Sequence, residues 1–265
     1  MNSCILFTII FVISTTAGSS LRISGGQPTT IREFPFAAAL LTGQGTGAFV
    51  QGCGGTILTN SAILSAASCF HTGNVTDPPG RWRTRIGSTY SGTGGTVLLI
   101  RLITRHPDFN HNTLNSDIAV LRTTTLLTLV PGSVEVAYIA GTTYPLANQQ
   151  PVVAIGWGAT SVTWAAVSSS NVLRRVQMFT IDQQVCAERY SPIGVNVTSN
   201  MLCAGWLDVG IVGQCLGDTG SPLLHNGVVV GVYSWTEGCG QARFPNLNTR
   251  VPVFSRWIVA TAIAA

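Results

Sequence analysis

A chain of 265 residues with 46% hydrophobic and only 9% charged residues is long enough to bury a full core as one or two domains. Its mean hydropathy of +0.37 excludes a disordered chain, which needs low hydrophobicity and high charge. The net charge of +4 is carried by scattered arginines, with Arg81, Arg83 and Arg85 alternating as on one strand face, which excludes a nucleic-acid-binding stripe.

In chain order, residues 4–13, CILFTIIFVI, form a short apolar run followed by STTAG, the pattern of a secretory signal peptide ending near Ala17. A buried core strand is the other reading of so short a run. No other stretch is apolar for long enough to cross a bilayer, so the mature chain is expected to be secreted, with no membrane attachment after signal removal. From position 22 onward the sequence alternates short β-branched or aromatic runs with Gly, Asn, Pro and Ser: FPFAAALL, GGTILT, AILSAA, WRTRIGS, TVLLIRLITR, IAVLRT, PVVAIGWG, RRVQMFTI and GVVVGVYSW. Runs of this length and spacing predict an all-β sandwich or barrel. A helical pattern is convincing only in the final VPVFSRWIVATAIAA, which predicts a C-terminal helix packed on the second half. The plausible internal linker lies around residues 123–132.

Seven cysteines become six once Cys4 leaves with the signal, and an even number in an oxidising compartment predicts three disulfides. The sequons beginning at Asn74 and Asn196 are candidate glycosylation sites on exposed loops.

Four separated stretches then read together: RISGG at 22–26, LSAASC at 64–69, DIAVL at 117–121 and CLGDTGSPL at 215–223. With CGGTIL at 53–58, GWG at 156–158, MLCAGW at 201–206 and VYSW at 232–235, the chain resembles the chymotrypsin/trypsin family from Arg22 to its end. Phrases such as GSTY, LDVG and PTTI look most similar to digestive trypsins of moth and butterfly larvae. The resemblance implies two six-stranded antiparallel β-barrels, about 23–130 and 131–265, with a C-terminal helix. It also implies a propeptide over 18–22, cleavage after Arg22, and disulfides Cys53–Cys69, Cys186–Cys203 and Cys215–Cys239.

The family's chemistry needs a serine nucleophile, a histidine base and a buried aspartate that orients it. Here the aspartate position is Asp117, the histidine position is Ser68 and the nucleophile position is Thr219; Ser221 replaces a following glycine. A serine hydroxyl has no accessible pKa near neutrality and cannot take and return a proton, so the general-base step is lost. An unassisted threonine hydroxyl is a weak nucleophile, and the route through a free N-terminal amine is closed because the resemblance pairs the amine of Ile23 with Asp218. His71 lies beyond Cys69 in the same loop. His106 and His111, with Asp108, lack any known ligand spacing, so no metal and no cofactor are expected, and His225 reads as a turn residue.

Other parts of the family's cleft are retained. Gly217 and Thr219 keep the backbone N–H groups of the oxyanion hole, and Ser234 with Trp235 keep the strand edge that receives an extended peptide. The specificity pocket is altered: Gly213 stands where trypsins carry an aspartate, and Thr236 and Asn246 stand where glycines are usual, which predicts a narrowed pocket with no attraction for a basic side chain. Asp117 is expected to take hydrogen bonds from Ser68, Ser234 and local amides, with an upward pKa shift if these are too few.

The reading is a catalytically silent, secreted protease homologue, a monomer, that binds peptides, protein protease inhibitors or protease partners through the old cleft. A decoy for dietary inhibitors is its sharpest form. A weak serine-type endopeptidase of non-tryptic specificity is the alternative. All fourteen basic residues are arginines, and arginine keeps its charge above about pH 12 whereas lysine loses it near 10.4. Together with the larval-trypsin resemblance, this points to an alkaline gut lumen.

Overall fold

The computed structural model describes residues 26–43, 47–72, 75–162 and 167–264. Arg22, Ile23 and Asn74 lie outside the described residues. Two closed antiparallel barrels follow one another along the chain. The first holds β1 (Ala37–Thr42), β2 (Val50–Ile57), β3 (Ala62–Ser65), β4 (Trp82–Ile86), β5 (Thr96–Arg105) and β6 (Ala119–Thr123), joined in the ring β1-β2-β3-β6-β5-β4. The second holds β7 (Pro151–Gly156), β8 (Arg174–Thr180), β9 (Met201–Gly205), β10 (Pro222–His225), β11 (Val228–Trp235) and β12 (Asn246–Arg250). Its ring is β7-β10-β11-β12-β9-β8, the same strand order as the first. A short strand at Gln27–Pro28 adds to β8, and Tyr138–Ile139 pairs in parallel with β11 outside the ring.

Alternation drives both rings. In β4, Trp82, Thr84 and Ile86 point inward while Arg83 and Arg85 face out, as the arginine spacing predicts. The nine sequence runs all fall on strands, but β9, β10 and β12 carry no clear signal. β12, NLNTR, is polar yet almost wholly buried, because its asparagines pair with the neighbouring backbone. His225 ends β10 as a buried strand residue, its Nδ1 at 2.8 Å from the Tyr144 hydroxyl, and is therefore not a turn residue.

Among the described residues there are two α-helices. α1 (Gln183–Tyr190) has no apolar stripe; it is nucleated by its cap, where the Asp182 carboxylate accepts the N–H groups of Gln184 and Val185. α2 (Val251–Ile263) is the expected C-terminal helix, but it bridges both barrels instead of resting on the second alone. Val251, Phe254, Ile258 and Ala262 join one continuous core with Ala62, Leu64 and Val120 of the first barrel and Leu223 and Val230 of the second. Arg122 of β6 also donates to the Thr261 carbonyl at 3.2 Å. The helix therefore helps fix the two barrels against each other, which keeps the cleft between them in register. The three disulfides pair as the resemblance implies: Cys53–Cys69, Cys186–Cys203 and Cys215–Cys239.

Candidate binding cleft at the triad-equivalent positions

A short helical turn, Ala67–Phe70, ends the crossing from β3 and carries Ser68, while Asp117 enters β6 from the first barrel. The second barrel supplies Thr219 from the turn before β10 and Ser234 from a bulge near the end of β11. These four residues form one chain of hydrogen bonds. Ser68 donates to the Asp117 carboxyl twice, from its backbone N–H to Oδ1 at 2.7 Å and from its hydroxyl to Oδ2 at 2.7 Å. The Ser234 hydroxyl donates to the same Oδ2 at 2.6 Å. The Thr219 hydroxyl donates to the Ser234 carbonyl at 3.2 Å. Asp117 is completely buried, and burial outweighs these three bonds, so its carboxyl is raised above its ordinary range. Where an imidazole would separate carboxylate from nucleophile, two serine hydroxyls cap the carboxyl instead.

The Thr219 hydroxyl proton is thus directed to a carbonyl, which is not a base. Among the described residues no histidine is hydrogen-bonded to it. His71 packs its ring against Phe109 and His111 at 5.9 and 6.0 Å. His106 stacks on Phe254 and Trp257 of α2, where burial lowers its pKa against the opposing pull of Asp108. No three His, Cys, Asp or Glu side chains gather at one point among the described residues.

The turn at 217–221 leaves two of its backbone donors unengaged. Asp218 N–H bonds Cys215 O, Gly220 N–H bonds Tyr233 O and Ser221 N–H bonds Asp218 O, which leaves the N–H groups of Gly217 and Thr219 with no acceptor among the described residues. Gly217 has φ +88°, a conformation that a side chain would strain. Its carbonyl is held from behind by the Gln51 amide at 2.6 Å, the same amide that reaches the Cys53 carbonyl at 3.0 Å. Gln51 carries no motif, and nothing in the sequence marks it.

Asp218 is as buried as Asp117 but differently held. It accepts the backbone N–H groups of Gly158 at 2.7 Å and Cys215 at 3.0 Å, and burial pushes it up to about 7. Gly158 packs so closely on this carboxyl that any side chain there would overlap it. The pairing expected between Asp218 and Ile23 falls outside the described residues.

Beside Thr219 opens a recess of about 370 Å³ lined by Leu216, Tyr233, Trp235, Thr236, Gln241 and the Cys215–Cys239 disulfide. None of these residues carries a charge. Thr236 lines the wall, and Gly213 and Asn246 are not among the lining residues. The reason is pairing: the Asn246 carboxamide turns away to clamp the backbone of Gln214, accepting its N–H at 3.1 Å and donating to its carbonyl at 3.0 Å. Its Oδ1 also fills the space a side chain at Gly213 would need. Beneath the recess the Gln214 amide is fully buried with no protein partner for either polar atom among the described residues. Trp235 is braced edge-on by Tyr190 at 5.7 Å, whose hydroxyl donates to Pro245 O at 2.6 Å. Of the sequons, Asn196 is exposed on the loop after α1, and its Thr198 hydroxyl donates to Asn115 Oδ1 at 2.7 Å.

Residues 23–258 match the Trypsin family. The chain is 48% identical to "Trypsin, alkaline A" of Manduca sexta over 237 residues, covering 89% of this chain and 90% of that one. It is 47% identical to "Trypsin CFT-1" of Choristoneura fumiferana over 241 residues, 91% of each, and 45% identical to "Trypsin, alkaline C" of Manduca sexta over 246 residues, 93% of each.

Proposed function

Because the chain belongs to the trypsin family, we propose that it is a member that has given up peptide hydrolysis and kept the cleft as a binding site. One observation carries the reading: the Thr219 hydroxyl gives its hydrogen bond to the Ser234 carbonyl, while Ser68 occupies the base position and is spent on Asp117. Attack on an amide requires that the hydroxyl proton leave as the C–O bond forms, and neither a carbonyl nor a serine hydroxyl takes it near neutrality.

What remains is suited to recognition. The free N–H groups of Gly217 and Thr219 can receive the carbonyl of an extended ligand, and Ser234–Trp235 offer a strand edge to its backbone. The uncharged recess takes a neutral side chain and disfavours arginine or lysine, whose charge would be desolvated without a partner. Peptide-like loops of protein protease inhibitors present this combination, and capture of such inhibitors in a secretory, alkaline setting is the role proposed. The similarity to proteins named alkaline trypsins supports that setting, and among the described residues no helix is long and apolar enough to cross a membrane.

The deciding experiment exposes the chain, cut after Arg22, to a fluorophosphonate probe, a broad peptide library and immobilised protein inhibitors from neutral to strongly alkaline pH. Inhibitor capture without labelling or turnover is the expected result. Turnover that disappears in Thr219→Ala would instead establish the weak endopeptidase.

A further inference from the structure

The chain has four histidines, and two of them, forty positions apart, meet beside the turn that carries Ser68. His71 follows directly on the Ala67–Phe70 turn that carries Ser68, in the small strand pair His71–Thr72 with Val75–Thr76. His111 stands in the turn that closes where Asn110 N–H bonds Asn115 O, and the Asn110 side chain accepts the N–H groups of Asn112 and Thr113 to stiffen it. Phe109 packs against His71 at 5.9 Å, and the two imidazole centroids are 6.0 Å apart with their planes inclined at 60°. Both rings are half-buried, so each is partly desolvated while still reachable.

We propose that His71 and His111 form an open, two-imidazole site for a divalent transition metal of the zinc type. Two imidazoles sharing a zinc at metal–nitrogen distances of about 2.0–2.1 Å hold their ring centres roughly 5–6 Å apart, so the observed separation needs only a small adjustment. Imidazole is a preferred donor for zinc, copper and nickel and a poor one for calcium or magnesium, which sets the class of metal. Coordination uses one nitrogen from each ring and leaves the other to keep its own partner, as metal-bound histidines commonly do. The buried carboxyl of Asp117 lies within electrostatic reach of His71 and favours a cation there, while Arg105, stacked over Phe109 at 5.6 Å, opposes it. Two protein ligands leave coordination positions for water or for an acidic or imidazole group of a molecule seated in the cleft.

Zinc chloride titrated calorimetrically into the full chain tests the assignment. The expected result is saturable binding of one zinc per chain, weakened roughly tenfold or more by either His71→Gln or His111→Gln and unchanged by His106→Gln, whose ring is stacked on α2. Absence of saturable binding, one zinc per two chains, or unchanged affinity in His111→Gln would each overturn it. His111 stands in a surface turn, so that variant alone decides the question should His71→Gln fail to fold. Metal binding is read separately from inhibitor capture, and either can fail without the other.

Discussion

Two carboxyls, Asp117 and Asp218, are equally buried, yet they are held by different kinds of donor. Asp117 is held by one fixed N–H and two hydroxyls that can rotate. Asp218 is held by two backbone N–H groups that cannot turn, with glycines packed so closely that nothing else fits. The first environment tolerates a change of chemistry because hydroxyls serve as donor or acceptor. The second does not, because an amide hydrogen always demands an acceptor. By this contrast, side-chain chemistry at Asp117 can change while the backbone frame around Asp218 cannot.

The largest effect should come from returning the base to Asp117. Combining Ser68→His, Thr219→Ser and Ser221→Gly should raise hydrolysis of amide substrates with a neutral side chain before the cut by roughly 10²-fold or more, the usual contribution of a positioned general base. Arginine substrates should gain little while Gly213 remains. No gain in rate assays would mean that the frame on the Asp218 side is not competent either, and the contrast would fail.

Next comes pH. Asp218 is raised from 3.8 to about 7 by burial, so in the uncut chain the folded state binds its proton more tightly than the unfolded state. That contribution is complete below about pH 4 and is lost as pH climbs to about 7, a decline of up to roughly 4 kcal/mol. Asp117 is raised too and adds a loss of the same sign. Urea melts across this range should show the fall, and cutting after Arg22 should flatten it if the new amine reaches Asp218. A stability that rises from pH 4 to 7 in the uncut chain would contradict the burial argument.

Amide substitution sharpens the comparison directly. At pH 5 Asp218 is protonated and both its oxygens can still accept, whereas Asp218→Asn sets an NH₂ with no lone pair to offer against a fixed N–H and should cost about 2 kcal/mol in melts at that pH, as expected for an unsatisfied buried donor. Asp117→Asn keeps an oxygen for the Ser68 N–H and lets both serine hydroxyls rotate to accept, so its cost should stay below about 1 kcal/mol. Equal costs would erase the distinction. Gln51→Ala, which frees the Gly217 carbonyl, should cost a few tenths of a kcal/mol to about 1 kcal/mol, a local effect seen as faster hydrogen exchange in the 217–221 turn.

Much of this was legible before folding. Nine of the twelve barrel strands announce themselves through alternation or apolar runs, and the replacement of histidine by Ser68 and of the nucleophile by Thr219 is visible in motif register alone. β9, β10 and β12 were not legible because their burial is satisfied by polar pairing or by very short runs, and α1 because a capping carboxylate, not an apolar stripe, sets its start.

By itself the sequence determined the architecture and, through resemblance, the partners of the six cysteines and the standing of Ser68 and Thr219 at the histidine and nucleophile positions, since each depends on residue type at a given position along the chain. Only the tertiary structure decided where hydrogen bonds go once those residues are packed: the Thr219 hydroxyl to the Ser234 carbonyl, the Gln51 amide behind Gly217, the Asn246 carboxamide onto Gln214, and His71 beside His111. Such contacts join residues tens to more than a hundred positions apart, and their geometry is set by how strands and turns close on one another within each barrel and, for Gln51 and Gly217, between them, which no local pattern encodes.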